Sequence, residues 1–325
     1  MYSKRISFIV PVYNAAQYIR RCVETIYMQD LSLDDFEIIL IDDGSLDDSK
    51  NIIDEIAREN NNVTAVSQEN GGAAASRNKG LDLASGAYVC FVDADDFLIP
   101  HTIHNVLNEA EQKSAEVCTY IMISEKDPNM ITFPKSHIEF GQVVTGEEIL
   151  LNNVGKSSVC SSLYSLELIK SNNIKFTEGI TSQDVDFNMH IYIYANRVIL
   201  TKYICYYYYN NEQSATSVIS LERKIKLLRD TICVNINYKN LSQWPQTSNA
   251  LKKYFLKRSS SATVGVLLAL IRDHNITKQD KESLLNMLVQ NDLYPIKHRT
   301  LTWKSTALIP LLNNKAILNK LINIR

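Results

Sequence analysis

The chain has 325 residues, of which 45% are hydrophobic and 22% charged, a composition typical of a globular protein with one large domain or two modest ones. The formal net charge of −2 excludes a protein whose main partner is nucleic acid, because neutralising phosphates requires a clear excess of basic residues. No uncharged apolar stretch reaches the roughly 18 residues that a membrane-spanning helix needs, so none is predicted.

The first hundred residues alternate short apolar runs with helical patterns. Apolar runs predict four strands, at Ile6–Val10, Phe36–Ile41, Val63–Val66 and Tyr88–Val92. Apolar residues that recur at helical spacing predict three intervening helices, at Tyr18–Ile26, Ser49–Asn60 and Ala73–Ala84. We expect the first strand to stop at Pro11. Continuous apolar strands that alternate with helices predict an α/β fold with a parallel sheet covered on both faces.

Three polar clusters follow predicted strands. Tyr13–Asn14 follows the first strand, Asp42–Asp43 the second and Asp93–Asp96 the fourth. Because sheets of this kind bind ligands at the carboxyl ends of their strands, we expect one ligand site at this edge.

The strongest chemical signal is the segment Asp93–Asp96, with the sequence DADD. Two carboxylates one residue apart at a strand end can hold a hard divalent cation, Mn²⁺ or Mg²⁺, through oxygen ligands. Such an ion would bridge a diphosphate and offset the charge that develops on it as a leaving group. The alternative is an acidic turn before a helix beginning near Pro100, since Asp is common at turns and helix starts. The two other clusters favour the metal site.

Four segments, taken in order, resemble the successive motifs of family 2 glycosyltransferases. They are Val10–Asn14, Ile41–Ser45, Asn70–Gly80 and Asp93–Asp96. The similarity is sharp to about Pro100 and looser to about Thr216. It implies a GT-A fold, that is, a Rossmann-like and mostly parallel sheet that binds a nucleotide-diphospho-sugar. It also implies an inverting transfer of a sugar, with UDP as the expected nucleotide, to an acceptor hydroxyl in glycan or polysaccharide assembly.

The resemblance assigns roles around the nucleobase. Tyr13 would lie against the base, with Pro11 and Val12 lining its pocket. Asp43, or Asp42 in its place, would accept a hydrogen bond from the uracil imide, and an anionic acceptor makes that bond strong. For one of these two aspartates, an Asx-type turn is an equal alternative.

The resemblance also assigns roles around the phosphates and the sugar. Arg77 would lie near them, although an arginine on a helix is more commonly a solvated surface charge. Asp95 would be the main metal ligand, and Asp93 would contact the ribose or the metal. Asp96 would be a second ligand or a sugar contact.

The second half of the domain should contain the catalytic base. In similar enzymes a Glu-Asp pair followed by an aromatic residue supplies it, and the matching stretch here is Thr181–Phe187, with Gln183 in place of Glu. This leaves Asp184 as the natural base and Asp186 as the fallback. The alternative for Asp184 is an N-cap of a helix that starts at Val185.

Three features near this stretch receive other interpretations. His190 is more commonly a packed or surface residue than a metal contact. The tyrosines of Tyr206–Tyr209 pack well in a sheet without a ligand. The arginine-containing segment of the family corresponds to Tyr209–Thr216, which has no arginine, so a basic contact with an acceptor phosphate is not supported there.

Two regions are expected: a GT-A catalytic domain at 1–217 and a helical region at 218–325. The catalytic domain would comprise a nucleotide-sugar half, about 1–100, and an acceptor half, about 101–217. Helical patterns at Leu221–Tyr238 and Leu251–Ile271 mark the second region. The six scattered cysteines lack metal-finger spacing, and no apolar leader precedes the first strand, so we expect reduced thiols and a cytoplasmic protein.

The last thirty or so residues form a basic tail. From Leu293 onward there are six Lys and Arg residues and no Asp or Glu. A helix expected to start near Pro310 would carry one apolar face, made of Leu308, Leu311, Leu312, Leu318, Leu321 and Ile322. This face fits the inner surface of the membrane, where a lipid-linked saccharide acceptor would lie, or equally the chain's own helical region or a second subunit.

Two other functions compete with a glycosyltransferase. A sugar-phosphate nucleotidylyltransferase would need a glycine-rich phosphate loop with a following basic residue after the first strand, and Val10–Ala15 contains neither. A non-catalytic carbohydrate-binding relative would be favoured by loss of the acidic cluster, and this chain keeps every carboxylate that the chemistry requires.

Overall fold

The computed structural model describes residues 2–124, 137–155, 157–209 and 220–322. The chain divides into two compact units. The first comprises Met1–Gly179 and Gln183–Ser214, and the second comprises Ile180–Ser182 and Ala215–Arg325. The domain boundary expected at residue 217 lies in the range 210–219, outside the described residues.

The first unit is built on one sheet, which has eight strands in the described residues. These strands are β1 (Lys4–Val12), β2 (Phe36–Asp42), β3 (Val63–Ser67), β4 (Gly86–Phe91), β5 (Phe97–Leu98), β6 (Val117–Ser124), β7 (Ser162–Ser165) and β8 (Val198–Tyr208). Their order across the sheet is β3-β2-β1-β4-β7-β6-β8-β5. The four strands β1–β4 run parallel, β6 runs parallel to β8, and β5 and β7 are antiparallel to their neighbours. The predicted α/β fold with a mostly parallel sheet is confirmed.

Helices of the first unit follow the strands. They are α1 (Ile19–Tyr27), α2 (Ser49–Glu59), α3 (Gly72–Leu83), α4 (Ile103–Gln112), α5 (Gly146–Leu151), α6 (Leu166–Ser171) and α7 (Gln183–Tyr194), with one 3₁₀ turn at Val159–Ser161. In α1 the buried residues Ile19, Cys22, Val23 and Ile26 recur at i, i+3, i+4 and i+7, so one side of the helix covers the core. The three helices expected in the first hundred residues are confirmed to within one or two residues at each end.

Strand β1 corrects one expectation, because it continues through Pro11 instead of stopping there. The carbonyl of Ile9 accepts from Val92 N, just after β4, whereas the carbonyl of Val12 accepts from Asp43 N, just after β2. The two carbonyls therefore face opposite neighbouring strands. The alternation of a strand therefore turns Pro11, like Ile9, toward β4. Strand β4 ends at Phe91, opposite Ile9, so the missing N–H of Pro11 costs no hydrogen bond in the sheet.

The second unit is helical in the described residues. Its helices are α8 (Leu221–Leu241), α9 (Asn249–Arg272), α10 (Lys278–Gln290), α11 (Trp303–Asn313) and α12 (Lys315–Leu321). Each starts at a residue whose side chain accepts a backbone N–H of the first turn, namely Ser220, Ser248, Thr277, Thr302 and Asn314. A separate apolar core joins these helices, with Leu267, Leu284 and Leu288 among its fully buried residues. No helix in the described residues has the length and apolar character needed to cross a membrane.

The tail differs from its prediction in two ways. Pro310 lies inside α11, not at a helix start, and is exposed three residues before the helix ends, where water can replace the hydrogen bond that it cannot donate. The predicted apolar face is divided. Its buried members Leu312, Leu318 and Ile322 pack in the core of the second unit, whereas Leu311 is 44% exposed.

Candidate active site

The three polar clusters meet at one edge of the sheet. Strands β1, β2 and β4 are adjacent and parallel, so Tyr13–Asn14, Asp42–Asp43 and Asp93–Asp96 all emerge at their carboxyl ends. The parallel arrangement thus brings together residues that are as much as 83 positions apart in the sequence.

Hydrogen bonds join the loop after β1 to the loop after β2. The backbone N of Asn14 donates to Ser45 Oγ at 3.0 Å, and Leu46 N donates to Asn14 Oδ1 at 2.7 Å. Tyr13, at the tip of the first loop, is 50% exposed, while Val12 before it is fully buried and Pro11 is half-buried. The exposed ring of Tyr13 is therefore held on a fixed loop, as a nucleobase contact requires.

The two aspartates after β2 have separate partners. Asp42 is buried, and its Oδ1 accepts from Ser45 N at 3.2 Å, three residues further along the same loop. Asp43 is buried as well, and its two carboxylate oxygens accept from Gly71 N at 3.0 Å and Gly72 N at 2.8 Å. Gly71 is the N-cap residue of α3, and Gly72 is its first residue. The Asp43 carboxylate therefore joins the loop after β2 to the start of that helix.

The acidic loop after β4 holds carboxylates in two environments. Asp93 and Asp95 are partly exposed, whereas Asp96 is 1% exposed. Asp96 accepts from Tyr206 Oη at 2.6 Å and from Tyr209 N at 2.8 Å. Burial first, and then the nearby Asp93 charge, raise the pKa of Asp96 to about 8. This geometry favours a structural role for Asp96 over the predicted contact with metal or sugar.

Tyr206 and Arg21 hold the acidic loop through hydrogen bonds. Tyr206 Oη, which donates to Asp96, also accepts from Asp93 N at 3.1 Å. Arg21 donates from Nη2 to the carbonyl of Asp95 at 2.8 Å. Its guanidinium lies 4.8 Å from the centre of the Phe97 ring and 4.6 Å from that of Tyr209, within cation–π range.

Sequence reasoning missed both of these supports. Tyr206 belongs to a run of tyrosines, Tyr206–Tyr209, that has an adequate structural interpretation, and only its position at the end of β8 singles it out. Arg21 looks the same in sequence as Arg20, which forms an exposed ion pair with Glu55. No local pattern distinguishes a charge that faces solvent from one that lies under a loop 74 residues away.

Arg77 joins the acidic loop after β4 to the predicted base, Asp184. Its Nη2 lies 2.7 Å from Asp93 Oδ1, and its Nη1 lies 2.8 Å from Asp184 Oδ1. The side chain is 5% exposed, and the guanidinium lies 5.5 Å from the centre of the Phe176 ring. The alternative of a solvated surface arginine is therefore wrong. The two carboxylates raise the pKa of Arg77, against the opposing effect of burial, so it stays positively charged.

Asp184 lies within the first turn of α7, which starts at Gln183, so the alternative of an N-cap before Val185 is wrong. Its Oδ1 accepts from Arg77, and its Oδ2 accepts from Val159 N at 3.2 Å. Burial raises the pKa of Asp184 above the usual aspartate value, while the Arg77 charge opposes the shift. A carboxylate with a raised pKa accepts a proton more readily.

Two nearby residues are engaged elsewhere. Asp186 is 2% exposed, and its Oδ2 accepts from Thr177 Oγ1 at 2.6 Å. His190 Nδ1 lies 2.9 Å from the carbonyl oxygen of Asp186, one helical turn earlier. Both arrangements favour structural roles. The segment 210–216, in which the resemblance lacks its arginines, lies outside the described residues.

The donor set of the acidic loop fits a hard divalent cation. Asp93 and Asp95 supply carboxylate oxygens one residue apart on a loop that is tied down at Asp96. Within the described ranges there is no group of three or more His, Cys, Asp or Glu residues that could hold a metal.

Comparison with known proteins agrees with this site. Residues 7–171 match the family model described as Glycosyl transferase family 2. Glycosyltransferase GlyG of Streptococcus pneumoniae is 30% identical over 239 residues, which are 71% of this chain and 78% of GlyG.

Two solved structures have a similar fold. TarS 1–349 of S. aureus, in complex with UDP-GlcNAc, has a TM-score of 0.72 and 23% identity, over 98% of this chain and 89% of that one. The mannosyltransferase PcManGT of Pyrobaculum calidifontis, in complex with GDP-Man and Mn²⁺, has a TM-score of 0.56 and 17% identity, over 97% of this chain and 88% of that one. The predicted GT-A fold is thereby confirmed.

Proposed function

The chain belongs to glycosyl transferase family 2 and is a glycosyltransferase, and we propose that it moves a hexosyl or N-acetylhexosaminyl group from a UDP-sugar to a saccharide hydroxyl, with inversion. The observation that carries this proposal is the bridge formed by Arg77. A single buried guanidinium contacts Asp93 on the donor side and Asp184 on α7. One charge thus sets the position of a carboxylate for each of the two substrates.

In the proposed reaction, Asp184 acts on the acceptor. Its carboxylate takes the proton of the acceptor hydroxyl as the oxygen forms a bond to the anomeric carbon. The bond from that carbon to the diphosphate breaks on the opposite side, and its electron pair leaves with UDP. Because Asp184 has a raised pKa and Arg77 fixes its orientation, it is suited to accept this proton at neutral pH.

Donor binding is proposed at the edge formed by β1, β2 and β4. Tyr13 lies against the uracil, with Pro11 and Val12 at the pocket wall, and the Asp42–Asp43 pair is the acceptor for the imide. The hydrogen-bonded loops and the half-exposed Tyr13 ring support this assignment. TarS, whose fold is similar, binds UDP-GlcNAc, which supports a uridine nucleotide.

A divalent cation, Mn²⁺ or Mg²⁺, would be held by Asp95 and Asp93 and would neutralise charge on the departing diphosphate. The Mn²⁺ in the PcManGT complex supports this choice of cofactor. On the protein side, Arg21 and Tyr206 hold the backbone of the loop on which the two carboxylates stand. A preorganised loop loses little further freedom when the diphosphate binds.

The substitution Asp184→Asn tests the function directly. It keeps the size of the side chain but removes the ability to accept a proton, so we expect kcat to fall by at least about 10²-fold. The KM for the UDP-sugar should change less than kcat, because Asp184 reaches the donor side only through Arg77 and Asp93. A modest loss of Tm is expected, since an amide cannot accept from both Arg77 and Val159 N. Transfer is measured by release of UDP with an added saccharide acceptor.

The control is Asp186→Asn, an equal change on the same helix in a carboxylate already bonded to Thr177. This variant should keep a kcat near the wild-type value. If Asp184→Asn turns over normally while remaining folded and binding UDP, the base is not Asp184. If both variants fold, bind UDP and remain active, the proposed proton transfer is wrong.

A further inference from the structure

The outer side of α11 and α12 exposes large apolar residues. Trp303 is 77% exposed, Leu311 44%, Ile317 38% and Leu321 40%. Tryptophan is one of the more deeply buried residue types on average, so an indole that is three-quarters exposed calls for an explanation. We call this set of residues the outer apolar side.

The outer apolar side is distinct from the side that packs on the protein. Leu312, Leu318 and Ile322, on the same two helices, are almost fully buried in the core of the second unit. A helix that only covers a core has one apolar stripe and a polar remainder. Here both sides are apolar, and the core of the unit accounts for just one of them.

Spacing shows that the exposed residues of α11 form one stripe. Trp303, Ala307, Pro310 and Leu311 are exposed and recur at i, i+4, i+7 and i+8. In α12 the exposed Ile317 and Leu321 are four positions apart in the same way. Such spacing places each set on one side of its helix.

Exposed basic residues occur in the same segment. Lys304 follows Trp303, and Lys320 precedes Leu321. Lys315, at the start of α12, and Arg299, just before α11, are exposed as well. No Asp or Glu occurs after Asp292, and within the described residues no ion pair is formed by these four cations. Lys297, by contrast, pairs with Asp292. The segment therefore combines exposed apolar residues with exposed positive charge and contains no acidic residue.

We propose that the outer apolar side docks on the surface of an anionic lipid bilayer. Tryptophan suits the boundary between headgroups and acyl chains, and lysines are attracted to anionic headgroups. A symmetric contact with a second copy fits less well, because it would bring lysines together with no acidic residue of the segment between them. This inference goes beyond the proposed function and does not depend on it.

Co-sedimentation of the full chain with vesicles tests the proposal. We expect binding to vesicles of phosphatidylcholine with phosphatidylglycerol, less binding at high salt, and little binding to phosphatidylcholine alone. Since a lysine near an anionic surface contributes about fivefold to partitioning, Lys304→Glu/Lys320→Glu should weaken binding by at least about tenfold. Trp303→Ser/Leu311→Ser should weaken it as well, by loss of the inserted apolar groups.

Matched variants on the same unit serve as controls. Lys253→Glu/Lys257→Glu changes two exposed lysines of α9, and Val289→Ser changes an exposed apolar residue of α10. Both should bind vesicles like the wild type. Each variant should also hydrolyse the UDP-sugar in solution at the wild-type rate, which separates a docking defect from a failure of the proposed reaction.

Fluorescence gives a second readout, because the chain has two tryptophans. In a Trp244→Phe background, Trp303 emission should shift to shorter wavelength when anionic vesicles are added. No shift, or equal binding by the wild type and both outer-side variants, overturns the proposal. So does concentration-dependent self-association that the outer-side variants abolish, because the side would then be an interface between copies.

Discussion

At the scale of single residues, the defining feature of the site is a buried arginine shared by two carboxylates. Arg77 is almost fully enclosed, and no partner contacts its Nε within the described residues. Its two terminal nitrogens each bond to one carboxylate, that of Asp93 and that of Asp184. Asp93 and Asp184 thus hold each other's orientation through Arg77, although they are 91 positions apart in the sequence.

The charge of Arg77 predicts a pH effect. Burial raises the pKa of Asp184 and Arg77 lowers it, so removal of the positive charge should raise it further. A base works when deprotonated, so kcat/KM falls as the pH drops through its pKa. The acidic limb of the wild type should therefore lie above the ordinary aspartate pKa of about 3.8, and that of Arg77→Gln should move to higher pH. The measurement is kcat/KM for transfer against pH.

Arg77→Lys is the control for this profile. It keeps a positive charge and should place the acidic limb closer to that of the wild type, with lower activity because Lys cannot bridge two carboxylates in the same geometry. Thermal melting establishes that each variant is folded at every pH used. An unshifted limb in folded Arg77→Gln would show that Asp184 does not set the profile.

The carboxylate of Asp95 predicts that activity depends on a divalent cation. Asp95→Ala should abolish transfer and should weaken UDP binding only when Mn²⁺ or Mg²⁺ is present, because the lost contact is to the ion. Titration calorimetry with and without a chelator measures this difference. The comparison variant is Asp54→Ala, which changes a partly exposed aspartate of α2 that pairs with Lys50, and it should keep both transfer and metal-dependent UDP binding. Full activity of Asp95→Ala in chelator would contradict the assignment.

Sequence could predict which residues meet but not what each of them does. The clusters at Asp42–Asp43 and Asp93–Asp96 follow from the order of strands, which periodicity reveals. Whether an aspartate is available to a ligand depends on distant partners, such as Tyr206 for Asp96 and the amide of Gly72 for Asp43. Those partners come from other elements, so no window of local sequence contains the answer.

At the scale of elements, Arg77 depends on how closely α3 approaches β1. Gly80 is three residues beyond Arg77, and a Cβ added there would lie 2.3 Å from Ile9 Cγ2. We therefore expect Gly80→Ala to destabilise the protein by about 1–3 kcal/mol through overpacking. Either the Ile9 side chain or α3 must shift, and a shift of α3 carries Arg77 with it, so kcat for transfer should fall. Chemical denaturation and the transfer assay measure the two effects.

Gly265→Ala is the matched control, since it makes the same change in α9, where an added Cβ has no neighbour within 4 Å. Ala is the better helix former and should stabilise the second unit by about 0.4–1 kcal/mol with no change in kcat. If Gly80→Ala is as stable and active as the wild type, the close contact between α3 and β1 is not required.

Element prediction succeeded where the amphipathic period is strong and failed where tertiary context overrides a local rule. Helix α1 shows its buried stripe in the sequence, and its position was predicted almost to the residue. Pro11 is expected to end a strand and Pro310 to start a helix, yet each lies inside an element, because the missing N–H falls beside a strand that has ended or on an exposed helix side. Local sequence does not show which neighbours a proline will have.

At the scale of the whole molecule, the protein has two cores and one proposed reaction site. The carboxylates and Arg77 all belong to the first unit, while the second unit has its own apolar core of helices. A ligand that binds only the folded form of a unit lowers the equilibrium population of its unfolded form by the factor 1 + [L]/Kd. Binding of UDP should therefore slow hydrogen exchange in the first unit of the intact chain and leave the second unit unchanged.

Hydrogen exchange should resolve the two units. With saturating Mn²⁺ and UDP at about one hundred times its Kd, amides of β2 and α3 that exchange through unfolding of the first unit should slow by about 100-fold. Amides of α10, in the core of the second unit, should keep their rates, because no residue of the proposed donor site belongs to that core. Mass spectrometry of peptic fragments compares both sets in one sample, and the Asp95→Ala variant with the same additions provides the unprotected reference. Equal slowing in α10 would show that the two cores unfold as one, and equal rates in β2 with and without UDP would place the donor elsewhere.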